Sequence, residues 1–191
     1  MNRITPMDPA RATGKAKQLF NGVHAKLGVV PNLFRVLGNA PAALDGYLQF
    51  SGALAGGSLD AKVREQIALL VAETNACGYC LSAHTFIGGT LGLSESELAD
   101  ARRAVAVAEK TGAILEFVRS VVENRGEIAD ANLVKARAAG LTDGEIVEAV
   151  ANVALNIFTN YLNHVAQTVV DFPEVKPGLD RLPASAGVVG A

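Results

Sequence analysis

The 191-residue sequence predicts an all-α fold. Three observations carry that expectation. Apolar residues recur at three- and four-residue spacing through most of the chain, which is the period of a helix with one buried face. The breaks between these runs hold helix starts and stops: prolines, glycines, and Ser, Thr or Asp before a Glu three residues on. No stretch offers the strict alternation of a half-buried strand.

Taken in order, the pattern is helical from Pro9 to about Leu27, with Leu19, Phe20, Val23 and Leu27 on one side and Gly28 as the stop. Val29-Val30-Pro31-Asn32 interrupts it, and a short helix over Leu33 to Leu37 follows. Asn39-Ala40-Pro41 opens a longer helix through Leu44, Tyr47, Leu48, Ser51 and Leu54, which Gly56-Gly57 ends. Ser58 or Asp60 caps the helix that carries Glu65 through Ile67, Leu70, Val71 and Thr74. That helix should end near Glu73 and the next start near Ala76, with Thr74 and Asn75 as N-cap candidates, Cys77 in the first turn, and Gly92 as the latest stop. Ser94-Glu95-Ser96-Glu97 has capping-box spacing for a helix to about Ala108, and another runs from about Thr111 to Asn124. Asp130 starts a short helix ending at Gly140, and Thr142-Asp143-Gly144-Glu145 starts the last long one, through Ile146, Val150, Val153, Ile157, Tyr161 and Val165 to about Val170. Residues 1–172 thus form a single helical domain. Residues 173–191, with Pro173, Pro177 and Pro183, form an extended or partly disordered tail.

Composition narrows the functional classes. With 17 basic and 19 acidic residues, a formal charge of −2 and no basic run, neither a nucleic-acid surface nor an anionic membrane is the expected partner. Half the residues are hydrophobic and 19% charged, so apolar helix faces outnumber what one small core can cover, and burial between subunits is expected. The N-terminal stretch MNRITPMDPARATG lacks a secretory apolar core and no run reaches bilayer length, which places the chain in the cytoplasm.

The chemistry concentrates in residues 65–84. Cys77 and Cys80 form a CxxC pair at a predicted helix start, where unpaired N–H groups favour a thiolate. A disulfide closing so small a loop removes little entropy from the unfolded chain, so redox or metal chemistry explains the pair better than structure does. One sulfur can attack an oxidant and the other resolve the sulfenic acid to a disulfide. His84 stands four residues after Cys80 and so shares its helical face. Alone, His84 reads as an ordinary hydrogen-bonded histidine and Glu65 as a solvated or ion-paired helix residue. With CxxC at this spacing they read as a proton relay. Zinc held by Cys77, Cys80, His84 and Glu65 is the competing reading, weakened because structural sites bring ligands from separated loops. Tyr79 reads as packing, and His24 and His164 as structural, His164 lying in a polar cluster with Asn160, Asn163 and Gln167. Glu145 and His164 repeat the 19-residue separation of Glu65 and His84, a weak sign of duplicated helical units, with Ile157 and Asn160 where the first copy has its cysteines.

Glu65, eleven residues, Cys77-x-x-Cys80, three residues and His84 resemble the motif of the alkylhydroperoxidase D-like branch of the carboxymuconolactone decarboxylase superfamily. VPNLFRVLGNAP before it and NIFTNYLNHVAQTVVDFP near the end are similar to the flanks of peroxidase-related members, so the resemblance runs from about Val29 to Pro173. It implies an alkylhydroperoxidase D-like helical bundle assembling as a homo-oligomer, a trimer or hexamer, and reducing peroxides without haem, flavin or metal. Cys80 would then be the peroxidatic thiol and Cys77 the resolving one, with Glu65 acting as base on Cys80 and His84 completing the relay. The reductant would be an external dithiol protein or a lipoamide-like donor. The chain departs from the best-studied type at Tyr79, where that type has a relay histidine. The leading expectation is a thiol-dependent peroxidase. The alternatives are a cofactor-free decarboxylase or lactone enzyme using Glu65 and His84, and a non-enzymatic redox-sensing or zinc-binding domain.

Overall fold

The computed structural model describes residues 2–179. Among these residues nine helices and no strand occur: α1 (Gly14–Leu27), α2 (Asn32–Leu37), α3 (Pro41–Ala55), α4 (Ala61–Thr74), α5 (Gly78–Thr90), α6 (Glu95–Ala101), α7 (Glu109–Glu123), α8 (Asp130–Ala138) and α9 (Asp143–Ala166). The bundle is built around α4. Every residue from Gln66 to Ala72 is buried, because α5, α6, α7 and α9 pack on its different sides. A helix covered all round must be apolar all round, and IALLVA supplies that. Each fully buried Leu, Ile or Val there contributes about 1.5–3 kcal/mol.

The helix boundaries follow local chemistry. Asp60 caps α4, its carboxylate accepting the Val63 N–H at 3.0 Å. Ser94 with Glu97, and Thr142 with Glu145, form complete capping boxes on α6 and α9. Gly28 (φ +73°) ends α1 and returns its N–H to the His24 carbonyl. Three boundaries differ from the sequence pattern. Residues 9–11 form a turn and Thr13 is extended, so α1 starts only at Gly14. α6 stops at Ala101, seven residues before Ala108, because the chain turns through Ala104 at φ +60°. α9 stops at Ala166 instead of Val170, at a left-handed Gln167.

The echo of Glu65–His84 in Glu145–His164 has no structural counterpart as a second site. Glu145 closes the capping box at the start of α9 and pairs with Lys110, while His164 lies near the other end of the same helix, about 28 Å along it at 1.5 Å per residue. Residues 173–179 lie across the bundle as an extended strap. The Val175 N–H donates to Ser82 Oγ at 2.9 Å, the Gly178 and Leu179 N–H groups donate to Glu73, and Arg102 donates to the Lys176 carbonyl. Residues 180–191 of the sequence-predicted tail fall outside the described residues. No helix among the described residues is long and apolar enough to cross a membrane.

Candidate active site

α4 and α5 form an antiparallel helical hairpin, and its turn explains the motif spacing. Asn75 is the C-cap of α4, Ala76 takes φ +54° to reverse the chain, and the Cys77 N–H reaches back to the Ala72 carbonyl at 2.8 Å. Asn75 therefore ends the first helix, where the sequence suggested an N-cap for the second. The N-cap of α5 is Cys77 itself, whose sulfur accepts the Cys80 N–H at 3.3 Å, as a serine oxygen would. Glu65 lies nine residues before Thr74 and His84 nine residues after Asn75, so the hairpin brings them face to face. Glu65 Oε2 and His84 Nδ1 are 2.7 Å apart, with side chains only 17% and 20% exposed.

The two sulfurs are 2.7 Å apart and buried as free cysteines. Closing a bond of about 2.05 Å from that position requires little backbone movement. Their electrostatics are unequal. The thiol of Cys80 and then its backbone N–H hold Cys77 down at about 7, against the opposing effect of burial, with His164 and His84 adding positive field. Cys80 is pushed well above the usual thiol range, first by its hydrogen bond to Cys77 and then by burial, while Asn163 and Asn160 pull it the other way. Asn163 Nδ2 donates to Cys80 Sγ at 3.3 Å. Burial acts to lower His84, but the Glu65 carboxylate outweighs it and the net shift is upward.

A cavity of about 340 Å³ opens beside this pair, between α2, α3, α4, α5 and α9. Glu65, His84, Tyr79 and Ala83 form part of its wall with Tyr47, Asn152 and Asn156, while Leu33, Leu54, Leu155 and Phe172 make the rest largely apolar. Tyr47, from α3, belongs to the site although the motif does not include it. Burial and the charges of Cys80 and Glu65 raise its phenol to about 12, so it stays protonated and able to donate. The buried asparagines of α9 are a second group; the sequence reading placed Asn160 and Asn163 in a polar cluster with His164 but gave them no place at the cysteines. Their signal was there, since Asn152, Asn156, Asn160 and Asn163 recur on one helical face. Asn152 and Asn156 donate back to the Glu148 and Asn152 carbonyls.

Tyr79, at the departure from the family motif, is a brace. Its hydroxyl oxygen accepts the Leu33 N–H at 3.1 Å and its ring meets Phe172 edge-on, and burial pushes the phenol up. His24 is exposed on α1. His164 Nε2 lies 2.8 Å from the Asn75 carbonyl and ties α9 to the hairpin turn. Among the described residues no group of three or more His, Cys, Asp or Glu side chains comes together as a metal site, so the zinc alternative has no ligand cluster here.

Three comparisons bear on ancestry. The sequence model of the carboxymuconolactone decarboxylase family matches residues 41–123. No curated protein matches the chain in sequence. Among solved structures, an alkylhydroperoxidase AhpD core described as an uncharacterised peroxidase-related protein from Ralstonia eutropha JMP134 superposes with a TM-score of 0.80 at 22% identity, covering 89% of this chain and 92% of its own. An uncharacterised peroxidase-related protein from Silicibacter sp. TM1040 gives 0.76 at 22% identity, covering 87% and 92%. A cysteine-to-alanine variant of the debrominase Bmp8 in complex with 2,3,4-tribromopyrrole gives 0.75 at 17% identity, covering 88% and 91%. The stretch similar to the carboxymuconolactone decarboxylase family, residues 41–123, is thus the one that holds Glu65, Cys77, Cys80 and His84, and the helical fold around it is that of the alkylhydroperoxidase D-like structures.

Proposed function

We propose that the protein is a thiol-dependent peroxidase acting on apolar organic hydroperoxides. The reading rests on a CxxC pair, one of its sulfurs held near a neutral pKa, on the helix that also carries His84, whose contact with Glu65 forms part of the wall of a largely apolar cavity. The Cys80 thiolate attacks the terminal oxygen of ROOH, the O–O bond breaks, and the sulfur becomes Cys80–SOH while RO⁻ leaves. Protonated His84, held by Glu65, gives RO⁻ its proton, with the Tyr47 hydroxyl as a second donor. The Cys77 thiolate then displaces hydroxide from Cys80–SOH; with one proton this leaves as water and the disulfide forms. An external dithiol of the lipoamide or protein type reduces it, ending as a disulfide itself.

In the resting pair the negative charge favours Cys77 and the proton Cys80, so attack by Cys80 requires that proton to move. The reading needs no bound cofactor. It places the enzyme in the cytoplasm and as a homo-oligomer, which the exposed apolar residues of α9 support: Val147, Val150, Phe158, Tyr161 and Val165. A second reading is reductive dehalogenation of a small aromatic ring, favoured by the likeness to Bmp8 and the apolar cavity. There the thiolate takes the halogen as S–X, the ring carbanion takes a proton, and the second thiol releases halide to give the same disulfide.

The test is consumption of cumene hydroperoxide with dithiothreitol by the native protein, Cys80→Ser and Cys77→Ser. Turnover lost in Cys80→Ser, with one slow turnover retained in Cys77→Ser, supports the assignment. Full activity in Cys80→Ser with a dead Cys77→Ser reverses the roles. Halide release from a brominated pyrrole without peroxide consumption favours the second reading. Activity on a lactone acid that survives loss of both thiols returns the site to acid–base chemistry at Glu65 and His84.

A further inference from the structure

Two carboxamides of α9 converge on one of the two sulfurs and not on the other. Asn163 Nδ2 donates to Cys80 Sγ at 3.3 Å. Asn160, one turn earlier on the same face, is 0% exposed, and its Oδ1 accepts the Asn75 Nδ2 at 3.0 Å. That bond engages the carbonyl end of the amide. It leaves Asn160 Nδ2 buried without a hydrogen-bond partner, beside Cys80. An unpaired N–H in a fully buried site is unfavourable unless some state of the protein uses it. A thiol sulfur is a weak acceptor and a thiolate a strong one, so a charge on Cys80 would pair this donor. The α9 helix is clamped to the hairpin turn by the Asn75–Asn160 contact and by His164 on the Asn75 carbonyl, which holds both amides in place. Both asparagines lie outside residues 41–123, the family-matched segment.

We propose that Asn160 and Asn163 form a two-donor cradle for the Cys80 thiolate, drawing the charge of the cysteine pair from Cys77 to the sulfur that attacks. The proposal deepens the peroxidase reading and rests on its assignment of Cys80. In the resting pair the Cys80 thiol and then the Cys80 backbone N–H hold the anion on Cys77. When the proton on Cys80 leaves, the two carboxamides receive the new anion with no rearrangement, which is how preorganised donors contribute to a reaction. Asn160 and Asn163 touch or adjoin the reacting sulfur and so count as catalytic residues in this proposal. A structural role alone would need only their packing.

The experiment isolates each thiol and needs no peroxide. In a Cys77→Ser background, the pH profile of iodoacetamide alkylation reports Cys80, and Asn163→Leu, Asn160→Leu and Asn163→Ala are compared with the parent. Each lost donor should raise the midpoint and slow alkylation at neutral pH roughly tenfold. The same substitutions in a Cys80→Ser background should leave the Cys77 profile in place. Circular dichroism and thermal unfolding select the variants that keep the fold, and Asn163→Ala serves if the leucine variants do not. A Cys80 midpoint unmoved in folded variants, or equal movement of both cysteines, overturns the cradle. Because alkylation is read without turnover, that result stands apart from a failure of the peroxidase assay.

Discussion

Cys80→Ala should raise the pKa of Cys77, and Cys80→Ser should raise it less. Cys77 sits at about 7 against an ordinary value of 9.0, and its largest support is the Cys80 side chain, followed by the Cys80 backbone N–H. A two-unit shift corresponds to about 3 kcal/mol in favour of the anion. At neutral pH it means that about half of Cys77 is thiolate, where an unassisted thiol of pKa 9.0 would hold about 1%. Alanine deletes the side-chain donor and keeps the backbone one, so the midpoint should climb part of the way back. Serine keeps an O–H in nearly the same place and should preserve most of the shift. The assay is alkylation of Cys77 by iodoacetamide across pH, with thiolate absorbance in the ultraviolet as a second probe. The midpoint is the quantity to compare, since Cys77 is only 1% exposed and absolute rates also report access. An alanine variant titrating at or below the serine variant would show that the sulfur of Cys80 does not hold the anion on Cys77.

Other consequences are open to direct measurement. Glu65→Gln removes the carboxylate that outweighs burial, so the His84 midpoint should fall in an NMR titration, and turnover should drop about 10²-fold as the proton donor is lost. His84 is raised in the fold, so its contribution to stability is fully present below the unfolded value of about 6.5 and is lost as pH rises through the higher folded value; urea midpoints should show this in the native protein and a weaker dependence in Glu65→Gln. Tyr79→Phe strands the buried Leu33 N–H and should cost about 1–3 kcal/mol in urea unfolding. Gly38→Ala places a methyl group 2.2 Å from Phe20 Cζ, and the shift this forces should cost about 1–3 kcal/mol and lower Tm. Leu155→Trp should fill part of the cavity and raise KM for cumene hydroperoxide while leaving KM for hydrogen peroxide near its native value.

Much of this architecture was legible in the sequence because the signals are local. Asp60, the Ser94–Glu97 and Thr142–Glu145 boxes, Gly28 and the Gly56-Gly57 pair act on their own helices, so the ends they mark hold in the structure. The misplaced ends have non-local or unusual causes. Left-handed Ala104 and Gln167 stop α6 and α9 at residues that carry no stop signal of their own, and left-handed Ala76 makes Asn75 a C-cap and Cys77 the N-cap of α5.

The sequence by itself determined the helical period, the CxxC pair and the 19-residue separation of Glu65 and His84, since each is a matter of residue type and spacing along one chain. That this separation brings Glu65 and His84 into contact depends on a hairpin folding about Thr74 and Asn75, and the identical separation of Glu145 and His164 along a single helix joins nothing. Only the tertiary structure brought Tyr47 from α3 into the cavity wall with Glu65 and His84, and Asn160 and Asn163 from α9 to Cys80, and only it set Tyr79 as a brace to Leu33. The reason is physical. Which thiol keeps its proton is decided by the donors within hydrogen-bond reach of each sulfur: Cys77 takes the N–H of Cys80, its neighbour in the same turn, whereas Asn163 reaches Cys80 from 83 residues away only through packing.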